Sequence, residues 1–219
     1  MLQNSFFYSQ IKAIVFDFGN VIINIDVPLT TKAFAQLTGK KEAVVEQRLL
    51  DFQIFKRYES GLFSDDEFRE TVRQTLGYPL NDHEIDTAWN ALLLDIPKDR
   101  IELLQDLRQQ YPIYLLSNTS NIHIVESTNI LRREHGVDSL DELFNEVFLS
   151  YEMKLWKPDK AIYQAVLDKT GFQAHEILFL DDNVKNIESA KEMGIQTILV
   201  EPPKSITEYF SELGIILKK

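Results

Sequence analysis

Four short apolar runs constrain this chain more than anything else in it: AIVF (13–16), IYLL (113–116), ILFL (177–180) and TILV (197–200). Polar or turn-forming residues bound each one. A strand with one wet face alternates apolar and polar residues. Unbroken apolar runs of this length suit strands buried on both faces, as in a parallel sheet covered by helices. EVFLS (146–150) is a fifth candidate. Helical spacings fall between the later runs. Ile101, Leu103, Leu104 and Leu107 form one pattern. Pro158, at a favoured first-turn position, followed by Ile162, Ala165, Val166 and Leu167 forms a second. Ile187, Ala190 and Met193, stopped by Gly194, form a third. Strands alternating with helices predict an α/β fold with a doubly wound parallel sheet.

About 95 residues separate the first run from the second, far more than a crossover needs. Most of the gap has helical character, over roughly 30–38, 42–56, 64–76 and 82–94. Residues 28–95 therefore read as a helical insertion, leaving 1–27 and 96–219 as the main core. Within LFSDDEF (62–68), Ser64 with Glu67 three residues on forms a capping box. Its acids read as helix-start chemistry rather than as a metal site.

Composition excludes several partners. The formal net charge is −11 with no dense Lys/Arg run, so nucleic acid and anionic membrane surfaces are not expected. The absence of cysteine excludes disulfides, thiolate zinc sites and thiol nucleophiles. The opening MLQNSFFYSQ has no basic and apolar leader pattern, and no apolar run approaches the roughly 20 residues of a membrane span. A cytoplasmic, soluble protein is expected.

In doubly wound sheets, ligands bind beyond the carboxyl ends of the strands. Asp17 follows the first run, Ser117 and Asn118 the second, and Asp181, Asp182 and Asn183 the ILFL run. Lys157 precedes the proline-started helix. Each alone has an ordinary reading as a turn, a helix cap or a solvated charge. Together, at one sheet edge, they read as a site.

The ordered set VFDFGNV (15–21), LLSN (115–118), WKP (156–158) and FLDDNVKN (179–186) resembles the four motifs of the haloacid dehalogenase superfamily. The resemblance covers nearly the whole chain and implies a Rossmann-like core with a helical type-one cap over 28–95. FDFGNVIINID (16–26) and YESGLFS (58–64) are similar to bacterial sugar-phosphate phosphatases of the glucose-1-phosphatase type. The implied activity is Mg²⁺-dependent hydrolysis of phosphomonoesters of small metabolites, such as sugar phosphates or sugar 1-phosphates. Asp17 would be the nucleophile, forming an aspartyl-phosphate. Lys157 would balance its charge and that of the phosphate. Ser117, the Asn118 backbone N–H at a helix start, Phe18 and Gly19 would hold phosphoryl oxygens. The implied metal ligands are the Asp17 carboxylate, the Gly19 carbonyl and the Asp181–Asp182 pair, with Asp182 favoured as the direct ligand. Asn186 could orient that loop. Three carboxylates facing a dianionic phosphate repel one another unless a divalent cation joins them.

Gly19 departs from the family pattern, which usually has a second Asp two residues after the nucleophile. That residue donates a proton to the leaving oxygen. General acid–base catalysis is typically worth about 10²–10⁴-fold, so its loss favours easily departing groups. A substrate hydroxyl, a water or Asp26 could relay the proton instead. Gly and Asn tolerate left-handed backbone angles, so Gly19–Asn20 can keep the turn while losing the acid. The alternatives are a 2-haloacid dehalogenase, a phosphonatase using Lys56, or a non-catalytic phosphometabolite-binding protein.

Other residues read less sharply. The histidines His83, His123, His135 and His175 show no metal-ligand spacing, and only His123 falls near the site. Glu59 lies in a turn of the insertion, where it could bind sugar hydroxyls. Trp156 could wall the pocket, and Tyr58 and Phe63 read as core of the insertion. Ile85, Trp89, Leu92 and Leu93 could serve that core or a dimer. The chain is expected to be a monomer or homodimer.

Overall fold

The computed structural model describes residues 10–214. The opening stretch read for a leader lies, except for its last residue, outside them. Five strands form one parallel sheet: β1 (Ala13–Phe16), β2 (Ile113–Ser117), β3 (Glu146–Leu149), β4 (Ile177–Asp181) and β5 (Gln196–Leu199), in the order β3-β2-β1-β4-β5. Alternate residues of each apolar run serve opposite faces. Ile14, Phe16, Leu115, Leu178 and Leu180 enter one buried cluster. Ala13, Val15, Leu116, Ile177 and Phe179 enter the other. With both faces covered, the interior positions of β1 and of β4 before Asp181 are all apolar. The chain builds β2 and β3 to one side of β1, then returns to add β4 and β5 on the other. That reversal opens a crevice at the carboxyl ends of β1 and β4.

Between β1 and β2 run α1 (Pro28–Thr38), α2 (Glu42–Asp51), α3 (Ile54–Glu59), α4 (Asp65–Leu76), α5 (Asp82–Asn90) and α6 (Lys98–Arg108). The continuous helix expected over 42–56 is two helices. Gln53, with φ of 48°, breaks it, and no glycine or proline advertises the break. Phe34, Val45, Leu49, Tyr58, Phe68, Val72 and Trp89 form a separate apolar cluster for α1–α5. The Ser64–Glu67 capping box starts α4 as expected, with the Ser64 N–H donating to Glu67 at 2.8 Å. The segments entering and leaving this insert pair antiparallel. The Asn24 N–H donates to the Asp95 carbonyl at 3.0 Å, Leu94 donates to Asn24 at 2.9 Å, and Asp26 donates to Leu92 at 2.9 Å.

The remaining helices are α7 (Asn121–His135), α8 (Ser150–Met153), α9 (Lys160–Thr170), α10 (Val184–Glu192) and α11 (Ile206–Glu212). Pro158 is not in the first turn of α9. The Lys157–Pro158 peptide is cis and the helix begins at Lys160 after Asp159. Gly194 does follow the end of α10, with φ of 83°. Among the described residues, no helix is long and apolar enough to cross a membrane.

Candidate active site

The ends of β1, β2 and β4 bring their polar residues together. Asp17 continues β1, its N–H donating to the Leu180 carbonyl at 2.8 Å. Lys157 enters from the loop before α9 and is only 2% exposed. Its Nζ donates to Asp17 Oδ1 at 2.7 Å, to Asp181 Oδ2 at 2.7 Å and to the Leu116 carbonyl at 2.9 Å. All three ammonium donors are thus used, as burial of a charge requires. Desolvation opposes the ammonium, but the two carboxylates outweigh it and hold the Lys157 pKa above its ordinary value. Burial raises the Asp17 carboxyl to about 7, partly offset by Lys157 and aided by Asp181.

The two acids of the pair differ. Asp181 is fully buried. Its Oδ1 accepts from the Asn183 N–H at 2.8 Å and its two oxygens accept from Asn186 Nδ2 at 3.0 Å, beside Lys157. Asp182 Oδ2 accepts from Asn20 Nδ2 at 2.9 Å, and burial again raises its pKa. Asp17, Asp181 and Asp182 each offer an oxygen within 4.8 Å of the others. Such a trio of hard oxygen donors, only partly neutralised by one lysine, suits a divalent cation. Asp181 is saturated by protein donors, so Asp182 has the freer oxygen.

Sequence reading left other connections unseen. Asn118 acts through its side chain as a clamp on Lys157: Oδ1 accepts from the Lys157 N–H and Nδ2 donates to the Lys157 carbonyl, both at 2.9 Å. The helix start expected at Asn118 comes three residues later, at Asn121, with Ser120 as its N-cap. Asn20 takes the left-handed conformation, φ 56°, whereas Gly19 does not. The glycine has a different reason. A Cβ on it would meet the terminal methyl of Ile25 at 2.9 Å, a contact that asks that methyl to shift. Asp26 is exposed and is not part of the cavity wall.

A cavity of about 370 Å³ lies above these residues. Phe18, Gly19, Ser117 and Asn118 line it from the sheet side, with Trp156 at its wall. Phe55, Glu59, Trp89 and Leu92 close it from the helical insert, with Lys56 also on its wall. His123, as expected, is the histidine among the lining residues. Its ring stacks on Trp89 with centroids 4.5 Å apart, and its Nε2 lies 3.2 Å from the Trp89 carbonyl. Burial lowers its pKa to about 4, so the neutral ring donates from Nε2. Trp89 Nε1 donates to Ser120 Oγ at 3.0 Å, and Asn121 Nδ2 donates to Asp65 at 2.8 Å. These bonds dock the insert on the start of α7.

The haloacid dehalogenase-like hydrolase family profile matches residues 11–194. The chain belongs to that family. A D-ribitol-5-phosphate phosphatase of Bacteroides thetaiotaomicron is 31% identical over 211 residues, spanning 95% of this chain and 99% of that one. A haloacid dehalogenase family enzyme from the same organism, crystallised with magnesium and inorganic phosphate, superposes with a TM-score of 0.84. It is 34% identical, over 91% of this chain and 99% of its own. An L-2-haloacid dehalogenase from Xanthobacter autotrophicus shares the fold at 21% identity and a TM-score of 0.58, over 95% of this chain and 85% of its own. As a member of this hydrolase family the chain is an enzyme, and its four motif segments converge at the sheet edge.

Proposed function

We propose that this chain is a Mg²⁺-dependent phosphomonoester hydrolase that works through an aspartyl-phosphate on Asp17. Its substrate is a small phosphorylated sugar or sugar alcohol. The observation that carries the reading is Lys157 bridging Asp17 and Asp181 with Asp182 alongside. Asp17 and Asp182, with Asp181 behind them, would hold magnesium, joined by the Gly19 carbonyl. When bound, it relieves carboxylate repulsion and draws nucleophile and phosphoryl group together. Lys157 favours the ionised form of Asp17 and aims it, and Ser117, at the end of β2, would hold phosphoryl oxygens. This is catalysis by positioning and electrostatics.

The relative named for D-ribitol 5-phosphate supports a phosphorylated polyol of similar size. That substrate class sharpens the puzzle of Gly19. A sugar 1-phosphate releases a relatively acidic hydroxyl, whereas a terminal polyol phosphate releases a strongly basic primary alkoxide. The test is phosphate release from D-ribitol 5-phosphate, sugar 5-phosphates and sugar 1-phosphates, with Mg²⁺ and with chelator. Mg²⁺-dependent release supports the reading. Halide release from 2-haloacids without metal, and no phosphate release, overturns it.

A further inference from the structure

An acid is missing from residue 19, where a Cβ would meet only the terminal methyl of Ile25 at 2.9 Å. A basic leaving group still needs a proton. Among the described residues that line the cavity, Glu59 is the one carboxylic acid. It ends α3, and its main chain is fastened to the sheet side. Ser150 Oγ, at the end of β3, donates to the Glu59 carbonyl and accepts from the Thr119 N–H at 2.9 Å. Two residues on, Gly61 (φ 69°) lies so close to Tyr151 that a Cβ would stand 2.1 Å from its carbonyl oxygen. Only glycine permits that approach. The carboxyl of Glu59 is therefore presented from a braced turn rather than a loose one.

No described residue donates to or pairs with that carboxyl, and burial alone raises its pKa to about 8. It is thus protonated at neutral pH, as a proton donor must be. The other ionisable groups on the wall fit less well. The His123 N–H is committed to the Trp89 carbonyl. Lys56 is exposed.

We propose that Glu59 is the acid that protonates the leaving oxygen, supplying from the helical insert what Gly19 cannot. The proposal rests on the phosphoryl-transfer reading above. Asp17 Oδ forms its bond to phosphorus as the bond from phosphorus to the ester oxygen breaks. That oxygen takes the Glu59 proton and leaves as the free alcohol. Glu59, now a carboxylate, accepts a proton from the water that attacks the aspartyl-phosphate at phosphorus. Inorganic phosphate departs, and both Asp17 and the Glu59 acid are restored.

The test compares Glu59→Gln on two esters with Mg²⁺ present. One is D-ribitol 5-phosphate, whose leaving group needs a proton. The other is p-nitrophenyl phosphate, whose leaving group does not. The expected result is a fall in kcat/KM, which reports the steps through departure of the leaving group, of about 10²-fold or more on the polyol ester, with kcat/KM on the aryl ester changed less than about threefold; kcat falls on both esters wherever the shared hydrolysis of the aspartyl-phosphate limits turnover. The retained aryl activity shows that the variant is folded. Equal losses of kcat/KM on both esters, a loss confined to KM, or no loss on the polyol ester overturns the assignment. If the unaltered protein releases phosphate from neither ester, the phosphoryl-transfer reading itself falls and takes this proposal with it.

Discussion

The floor and the roof of the cavity are built on opposite terms. On the floor, polar groups brace one another: Lys157 spends its donors on two carboxylates and a carbonyl, Asn186 and Asn183 complete Asp181, and Asn118 clamps the Lys157 backbone. On the roof, Phe55, Trp89 and Leu92 offer shape and dryness, and the Glu59 carboxyl has no charged or donor partner among the described residues. A braced polar network admits few residue types and one geometry. An apolar wall tolerates many. On the readings proposed above, the floor supplies the nucleophile and its electrostatic support, and the roof supplies shape and, through Glu59, a proton.

The largest effect expected from breaking this contrast is at Asp17, the proposed nucleophile of the floor. Asp17→Asn should lower turnover by about 10⁴-fold or more while the protein stays folded, measured as phosphate release beside circular dichroism. Lys157→Met should come next. It strands Asp17 and Asp181 in a dry site, at roughly 3–5 kcal/mol of unfolding free energy, read from denaturant melts without metal. A loss below about 1 kcal/mol, the range of surface pairs, would mean that water reaches the floor.

The hinge between roof and floor carries the third effect. His123 has a folded pKa of about 4 against 6.5 unfolded. Below pH 6.5 the unfolded chain takes up a proton that the folded chain refuses. Stability should therefore fall as pH drops from 6.5 toward 4, by up to about 3 kcal/mol. His123→Asn should flatten that limb in pH-dependent melts. The smallest effect sharpens the reading of Gly19. Gly19→Asp should destabilise by about 1–3 kcal/mol through overpacking. Ile25→Val, which deletes the obstructing Cδ1, should recover part of that loss in the double variant. Strict additivity would show that Ile25 is not what keeps residue 19 small.

The same contrast explains what could be read without coordinates. The strands were legible because burial on both faces leaves an unbroken apolar run, and most of the floor because Asp17, Ser117 and the Asp181–Asp182 pair end such runs. The break at Gln53 was not, since a polar residue took the left-handed angle without glycine or proline to mark it. Pro158 misled because proline opens helices and also precedes them. Ser150 and the Asn118 side chain act on partners far away in sequence, where local pattern carries no signal. The roof was hardest, because Trp89 and Phe55 are residue types that any core uses.

The pairing of residues 24–26 with 92–95 has a consequence for how such molecules diversify. The whole excursion leaves and rejoins the sheet at two points one hydrogen bond apart. Closing a loop there costs little more for a long insert than for a short one, since that cost grows only with the logarithm of length. To the sheet, the 65 residues from 27 to 91 differ from a tight turn by only a few doublings of loop length. The staple at Asn24 and Asp95 is thus a graft point, at which one roof can be exchanged for another with the floor undisturbed.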